Sequence, residues 1–319
     1  MSYAWQLSNS SIGVGFGTAA LGGNTYDVVT MALESGFRKF DTAEAEWWYD
    51  QGEVGRSLTD FFTKKDLNCD NLEISTKIPP WSLTSFSDIR LHASNSRQEL
   101  VGSCEDIYPE ESQEGVPFPL DVYYIHAPQC WKGWHPRCDN PPSTLDLRDA
   151  WKAMEAVVGL DYTSKRIGLS NIHPNELLDI IQFVNERIEG GENNPTPRLP
   201  DAVQAHSDPI DTSRELRELC LEYNIEFVSY STLGTQHRNV PENPVLTSTV
   251  VAHIAEKHSR SVAEVVLSWA LQNDMSVIPR SSKKGHIEEL SRLLTSPVFL
   301  DSTDLEAMET LSSDYIGEL

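Results

Sequence analysis

Short runs rich in Val, Ile, Leu, Phe and Tyr alternate along this chain with longer stretches in which apolar residues recur at helical spacing. The first pattern is that of strands buried on both faces, the second that of helices with one apolar stripe. The runs predict strands at Ile12–Thr18, Arg38–Thr42, Leu72–Lys77, Asp121–His126, Arg166–Ser170, Ala202–Ala205, Glu226–Ser231 and Met275–Pro279. The periodic stretches predict helices at Thr25–Ser35, Gly52–Phe62, Phe86–Leu100, Leu147–Val158, Asn175–Arg187, Ser213–Tyr223 and Lys284–Leu294. One strand followed by one helix, repeated, is a parallel sheet of βα units, and eight such strands predict an α/β protein with a closed (β/α)8 TIM barrel.

Some segments stand outside the repeat. Ala4–Gly15 alternates around a turn and predicts an N-terminal hairpin on the barrel floor. Val250–Asn273 carries two helical patterns and Ser302–Leu311 one more, so extra helices are expected near the C-terminus. Glu105–Pro119, Gly190–Pro200 and Ala127–Pro142 are aperiodic and contain proline, which predicts loops. Ala127–Pro142 follows a strand, and loops after strands line the mouth of such a barrel. The whole of 1–319 is expected to be a single domain.

Composition changes this picture in two respects. Hydrophobic residues at 39% and charged residues at 23% are those of an ordinary folded chain. The net charge of −23, however, excludes nucleic acid and anionic membranes as partners, because phosphate recognition needs a basic footprint. Any phosphate must then be held by a local basic cluster. The cysteines Cys69, Cys104, Cys130, Cys138 and Cys220 are scattered, with no C-x-x-C pair for zinc or redox work, and are expected to be reduced thiols. Met1–Ser11 lacks the features of a secretion signal and no run is long enough to span a membrane, so the expected location is cytoplasmic.

The candidate chemistry sits at the strand ends. Asp41, Lys77 and His126 stand at the carboxyl ends of three predicted strands, and Tyr49 follows in the loop after Asp41. A tyrosine with a reference pKa near ~10 can donate a proton near neutrality when an ammonium stabilises the phenolate it leaves. A carboxylate holds that ammonium charged in a partly buried place, and a histidine can orient a substrate oxygen. The set is suited to carbonyl reduction.

These residues also belong to a longer series. Gly15-Phe16-Gly17-Thr18, Gly36 through Ala43, Glu53-Val54-Gly55, Ser75-Thr76-Lys77 and Tyr124-Ile125-His126 come first. Ile167 through Asn171, Tyr230 through Gly234 and Val277 through Ser281 follow in the same order. In this order the chain resembles the aldo-keto reductase family over nearly its whole length. The resemblance implies NADPH-dependent reduction of an aldehyde or ketone to an alcohol, with NADH possible as cofactor and a small-molecule carbonyl as substrate. It implies a catalytic tetrad of Asp41, Tyr49, Lys77 and His126. The tyrosine is out of step, since counting back from Val54-Gly55 puts Trp48 at the family position.

For the cofactor the resemblance implies Ser170, Asn171 and Gln204 around the nicotinamide carboxamide, and Tyr230 stacked on its ring. Ser231, Leu233, Gly234, Arg280, Ser281, His286 and Glu289 would serve the remainder. Arg280 to Lys284 form the one dense basic cluster and precede a predicted helix, which suits an adenosine 2′-phosphate. Trp47, Trp48 and Trp131 are candidates for the substrate pocket. His286, Leu290 and the run Ala205-His206-Ser207-Asp208-Pro209 depart from the family pattern, and the short tail after Leu311 implies a wide pocket. A monomer or small homo-oligomer is expected. The competing reading is an NADPH-binding regulatory or sensor protein with little turnover, motivated by the displaced tyrosine.

Overall fold

Glycine, proline and helix-capping side chains mark where each strand of this chain gives way to a helix, and the computed structural model shows the resulting alternation. It describes residues 12–107, 118–238 and 240–316. The strands are β1 (Phe16–Gly17), β2 (Lys39–Asp41), β3 (Glu73–Ile78), β4 (Leu120–Ile125), β5 (Ser164–Ser170), β6 (Ala202–His206), β7 (Glu226–Tyr230) and β8 (Met275–Val277). Between and after them lie α1 (Thr25–Glu34), α2 (Gln51–Lys65), α3 (Phe86–Ile107), α4 (Pro136–Asp139), α5 (Leu147–Gly159) and α6 (Pro174–Glu189). The series ends with α7 (Arg214–Glu222), α8 (Thr249–His258), α9 (Val262–Gln272), α10 (Lys284–Ser291) and α11 (Ser302–Ile316). The sheet is eight-stranded and its order follows the chain from β1 to β8.

By contacts the chain divides into two compact units, each made of separate stretches of sequence. One runs from Phe16 to Gln204 and includes Arg280–Glu288. Its strands pair in parallel with the registers Asp41↔Ser75, Lys77↔Tyr124, Tyr124↔Gly168 and Ser170↔Gln204. Parallel pairing brings the carboxyl ends of β2, β3, β4 and β5 to the same edge, which is where Asp41, Lys77, His126 and Ser170 stand. Every residue of β4 is buried, as a strand covered on both faces requires.

The helices of this unit start where polar side chains satisfy free backbone donors. Asp50 accepts from Glu53 N at 3.1 Å to open α2, Ser85 accepts from Asp88 N at 3.1 Å to open α3, and Asp146 accepts from Asp149 N at 2.8 Å to open α5. Helices α2 and α3 approach closely at Gly55, where a Cβ would lie 2.1 Å from the Glu99 carbonyl oxygen. Only glycine fits there.

The other unit comprises Ala205–Pro279 and, of the described residues, also 12–15 and 289–316. Strands β7 and β8 pair within it, and Val14 bridges to Val277 in parallel. Ser261 and Glu264 form a capping box at the start of α9. Asp304 on α11 receives Lys257 Nζ and His258 Nε2 from α8, each at 2.7 Å. Helices α8 and α11 are thereby tied together.

All eight predicted strands occur, with ends shifted by a few residues; β1 is the most shortened, to Phe16–Gly17. The hairpin expected at Ala4–Gly15 lies largely outside the described residues. Helix α3 runs on to Ile107, three residues into the segment expected to be a loop, and 108–117 lie outside the described residues. The Ala127–Pro142 loop contains the single turn α4. No helix among the described residues is long and apolar enough to cross a membrane.

The expectation of five reduced thiols is overturned. Cys69 is bonded to Cys104 and Cys130 to Cys138, with Cα separations of 5.9 and 5.2 Å, which leaves Cys220 as the free cysteine, buried on α7. Spacing concealed the first pair, because 35 residues separate partners that meet only when the loop before β3 lies beside α3. The cytoplasmic placement rested partly on these thiols, and four of the five no longer support it. Thiol titration of the denatured, unreduced protein should find one reactive group per chain, against five after reduction. Reduction should also lower unfolding stability, by about 4 kcal/mol for the longer loop and about 2.5 kcal/mol for the shorter.

Candidate active site

Strand ends place the charges. Asp41 closes β2 and Lys77 is the penultimate residue of β3, and both are almost wholly buried. Lys77 Nζ donates to Asp41 Oδ1 at 2.5 Å and to the Thr42 carbonyl at 2.7 Å, while Gln204 Nε2 donates to Asp41 Oδ2 at 2.8 Å. Both carboxylate oxygens are thus engaged. Burial pushes the Lys77 pKa down and the Asp41 charge opposes that shift.

Tyr49 reaches this pair through the shape of its loop. Glu44 N donates to the Lys77 carbonyl at 3.0 Å, Trp48 N to Ala45 O at 2.9 Å and Tyr49 N to Ala45 O at 3.1 Å. One turn of chain therefore closes between Ala45 and Tyr49. It leaves Trp47 69% exposed and sets Tyr49 half-buried, with its ring centroid 5.3 Å from Lys77 Nζ and 5.9 Å from the His126 ring. Below it Glu44 is held by Tyr123 Oη at 2.6 Å, Ser96 Oγ at 2.8 Å and His92 Nδ1 at 2.7 Å, which anchors the loop.

His126, just past β4, is buried, and its Nδ1 has no hydrogen-bond partner among the described residues. Burial first, and the nearby Lys77 charge second, hold its pKa well below the usual histidine range, so the ring is neutral near pH 7. A neutral imidazole is suited to hydrogen bonding a substrate oxygen.

Beside this cluster Asn171 adopts the left-handed conformation (φ 52°), receives no help from glycine, and donates its Nδ2 to the His126 carbonyl at 2.8 Å. Its backbone N–H donates to the Gln204 carbonyl at 3.1 Å. Ser170, Asn171 and Gln204 are thereby fixed next to the histidine and the aspartate. Asn171 and Gln204 each supply a carboxamide, and Ser170 a hydroxyl.

A model of the aldo/keto reductase family matches residues 13–312. The chain belongs to the aldo/keto reductase family. It is 26% identical over 314 residues to aldose reductase B of Dictyostelium discoideum, covering 95% of this chain and 89% of the relative. It is 29% identical to glycerol 2-dehydrogenase (NADP(+)) of Hypocrea jecorina, covering 86% and 81%. Among solved structures, the aldose reductase of Schistosoma japonicum superposes with a TM-score of 0.69 at 23% identity, over 94% of this chain and 88% of that one, which shows the fold. This aldo/keto reductase is accordingly an NAD(P)H-dependent oxidoreductase of carbonyl compounds with a (β/α)8 fold.

Of the remaining predicted residues, Arg280 is exposed and precedes α10, and Ser281 Oγ accepts from Lys283 N at 3.1 Å at the start of that helix. His286 is exposed on α10. Glu289 accepts a hydrogen bond from Ser261 Oγ. Tyr230 ends β7 in the other unit, and burial pushes its hydroxyl pKa up to about 12. After it, Ser231 is left-handed (φ 53°), and Gly234 (φ 76°) sits where a Cβ would meet Asn243 Oδ1 and Val245 Cγ2, each at 2.7 Å. Leu233 accepts a hydrogen bond at its carbonyl from Asn243 Nδ2 at 2.7 Å.

The aromatic residues fall on two sides of the Tyr49 loop only in part, since Trp81 touches both groups. Trp47 and Trp48 are exposed, and Trp131 stacks on Trp134 at 3.9 Å. Trp134 in turn lies 5.0 Å from the His126 ring and 5.2 Å from Trp81. Trp81 and Trp134 pack with Ala45, Tyr49 and the Cys130–Cys138 bridge, and Trp81 was not among the predicted pocket residues. A signal for Trp81 was present, since Pro79-Pro80-Trp81 follows the Lys77 strand directly. An open cavity of about 890 Å³ borders the Tyr49 loop, walled by Trp47, Trp48, Tyr49, Trp81, His92 and Glu99. Asp41, Lys77 and His126 do not line it. Tyr49 alone of the four borders the cavity and also packs against Lys77 and His126.

Proposed function

We propose that this enzyme reduces an aldehyde or ketone to an alcohol using NADPH, and that Tyr49 is the general acid. The observation that carries this is the packing of Tyr49 against both the Lys77 ammonium and the His126 ring. The residues suit the cofactor: Ser170, Asn171 and Gln204 offer donors and acceptors for a carboxamide, and His126 Nδ1 is buried with no partner among the described residues. Arg280, Lys283 and Lys284 supply positive charge at the start of α10 for a 2′-phosphate. NADPH, when bound, supplies hydride to the carbonyl carbon.

The residues of the chain do the rest. Tyr49 gives its phenolic proton to the carbonyl oxygen, and the Lys77 ammonium stabilises the phenolate that remains. Asp41 keeps Lys77 charged and in place, itself held by Gln204. His126, neutral, hydrogen-bonds the carbonyl oxygen and orients it. Trp81, Trp134 and Trp131 offer aromatic surface beside the histidine, which favours an apolar or aromatic carbonyl substrate.

Loss of NADPH absorbance with an activated aromatic aldehyde tests the reading. Turnover supports it, whereas tight NADPH binding with no turnover across a broad aldehyde panel would replace it with the sensor reading. For cofactor choice, Arg280→Ala is expected to weaken NADPH binding by roughly 10- to 100-fold, the worth of a charge-assisted hydrogen bond, and to leave NADH binding within a factor of about two. Fluorescence titration with both cofactors measures this.

A further inference from the structure

The run His206-Ser207-Asp208-Pro209, which departs from the family pattern, takes no part in the chemistry above. In the unit formed by Ala205–Pro279 it meets a residue distant in sequence. His206 Nε2 lies 3.0 Å from Asp208 Oδ2, and His237 Nε2, from the loop after β7, lies 2.8 Å from the same oxygen. The three ligand atoms all fall within 4.8 Å of one another. The geometry points to a binding site for a divalent transition-metal ion of the zinc class, held by His206 Nε2, Asp208 Oδ2 and His237 Nε2.

The surroundings are those of a built site. Asp208 is fully buried, and its second oxygen, Oδ1, accepts from Ile210 N at 2.8 Å and Asp211 N at 2.9 Å, so that Oδ2 is turned towards the two imidazoles. Asp211 Oδ2 stands 3.6 Å from the opposite nitrogen of His206, Nδ1, the outer carboxylate that commonly orients a metal-bound histidine. Ser213 Oγ donates to the His206 carbonyl at 2.6 Å and fixes the backbone from which the ring projects. Two imidazoles and one carboxylate form a ligand set suited to zinc, with one position left for water. Tetrahedral bonds of about 2.0 Å need ligand atoms roughly 3.3 Å apart. The two spacings to Asp208 Oδ2 need only a few tenths of an ångström of opening, and the two imidazole nitrogens lie within 4.8 Å of each other.

Placement suggests what the ion would do. It would tie the turn after β6 to the loop after β7, and the His206 ring lies 6.2 Å from Tyr230. Loop Ser231–His237 would then be held at both ends, by the strand and by the metal. The inference stands apart from the proposed reaction, since binding is measured without substrate or cofactor.

The test titrates Co²⁺ and Zn²⁺ into the full chain after treatment with a chelator, using calorimetry and the visible absorption of Co²⁺. Expected are one ion per chain, a Co²⁺ spectrum of low coordination number that Zn²⁺ abolishes, and slower amide exchange over Ser231–His237. His237→Gln, which keeps a hydrogen-bonding group in the loop, should weaken affinity by about 100-fold or more, and Asp211→Asn by about 10-fold, with folding of each checked by circular dichroism. Failure to saturate, or equal affinity in His237→Gln, overturns the site and leaves His206, Asp208 and His237 as a hydrogen-bonded triad. Neither result bears on whether Tyr49 is the acid.

Discussion

Tyr49→Phe is expected to lower kcat for aldehyde reduction by about 10²- to 10⁴-fold, the usual contribution of a positioned proton donor. The substitution removes one oxygen and keeps the ring, so the packing of Tyr49 against His126 and beneath Lys77 should survive. NADPH affinity should change by less than about twofold, because the groups proposed to hold the cofactor lie on other strands and on α10. Steady-state kinetics with a fluorescence titration on the same sample separate the two effects. A variant that retains its kcat would remove Tyr49 from the mechanism. Trp48→Phe is the control: Trp48 occupies the family's tyrosine position by counting, but it is exposed, and its replacement should leave kcat within about threefold.

Asp41→Asn should have the largest effect on stability. The carboxylate is the counter-ion of an ammonium that is 1% exposed, and stranding such a charge costs about 3–5 kcal/mol. Urea unfolding measures the loss, and activity should fall with it, since Lys77 would no longer be held charged. The double substitution Asp41→Asn with Lys77→Met removes the stranded charge and should recover part of the stability without restoring activity. That non-additivity distinguishes an electrostatic pair from two independent packing residues. If Asp41→Asn alone is as stable as the parent chain, the buried pair carries no such strain and Lys77 is neutral in the fold.

Much of the site was legible because the strand period is local. A buried strand shows as an uninterrupted apolar run, and a polar residue at its carboxyl end stands out, as with Asp41, Lys77 and His126. Parallel pairing then brings those ends together whatever the details of the loops. Trp134 was visible as one of several tryptophans in a loop, yet its contact with His126 depends on the Cys130–Cys138 bridge and the turn at Pro136–Asp139. Trp81 carries no periodic signal, because it lies in the turn Pro80–Ser82, and only its place after the Lys77 strand marks it.

By itself the sequence determined the order of strands and helices, the βα repeat and the three charged or ionisable strand ends, all of which follow from contacts between near neighbours and from burial. Only the tertiary structure decided whether Tyr49 or Trp48 faces Lys77, since that rests on one turn closed by hydrogen bonds to Ala45. It also decided that Cys69 meets Cys104 across 35 residues, and that His237 meets Asp208 across 29. Pairings of that kind depend on how whole elements pack, and no local pattern of hydrophobic and polar positions carries them.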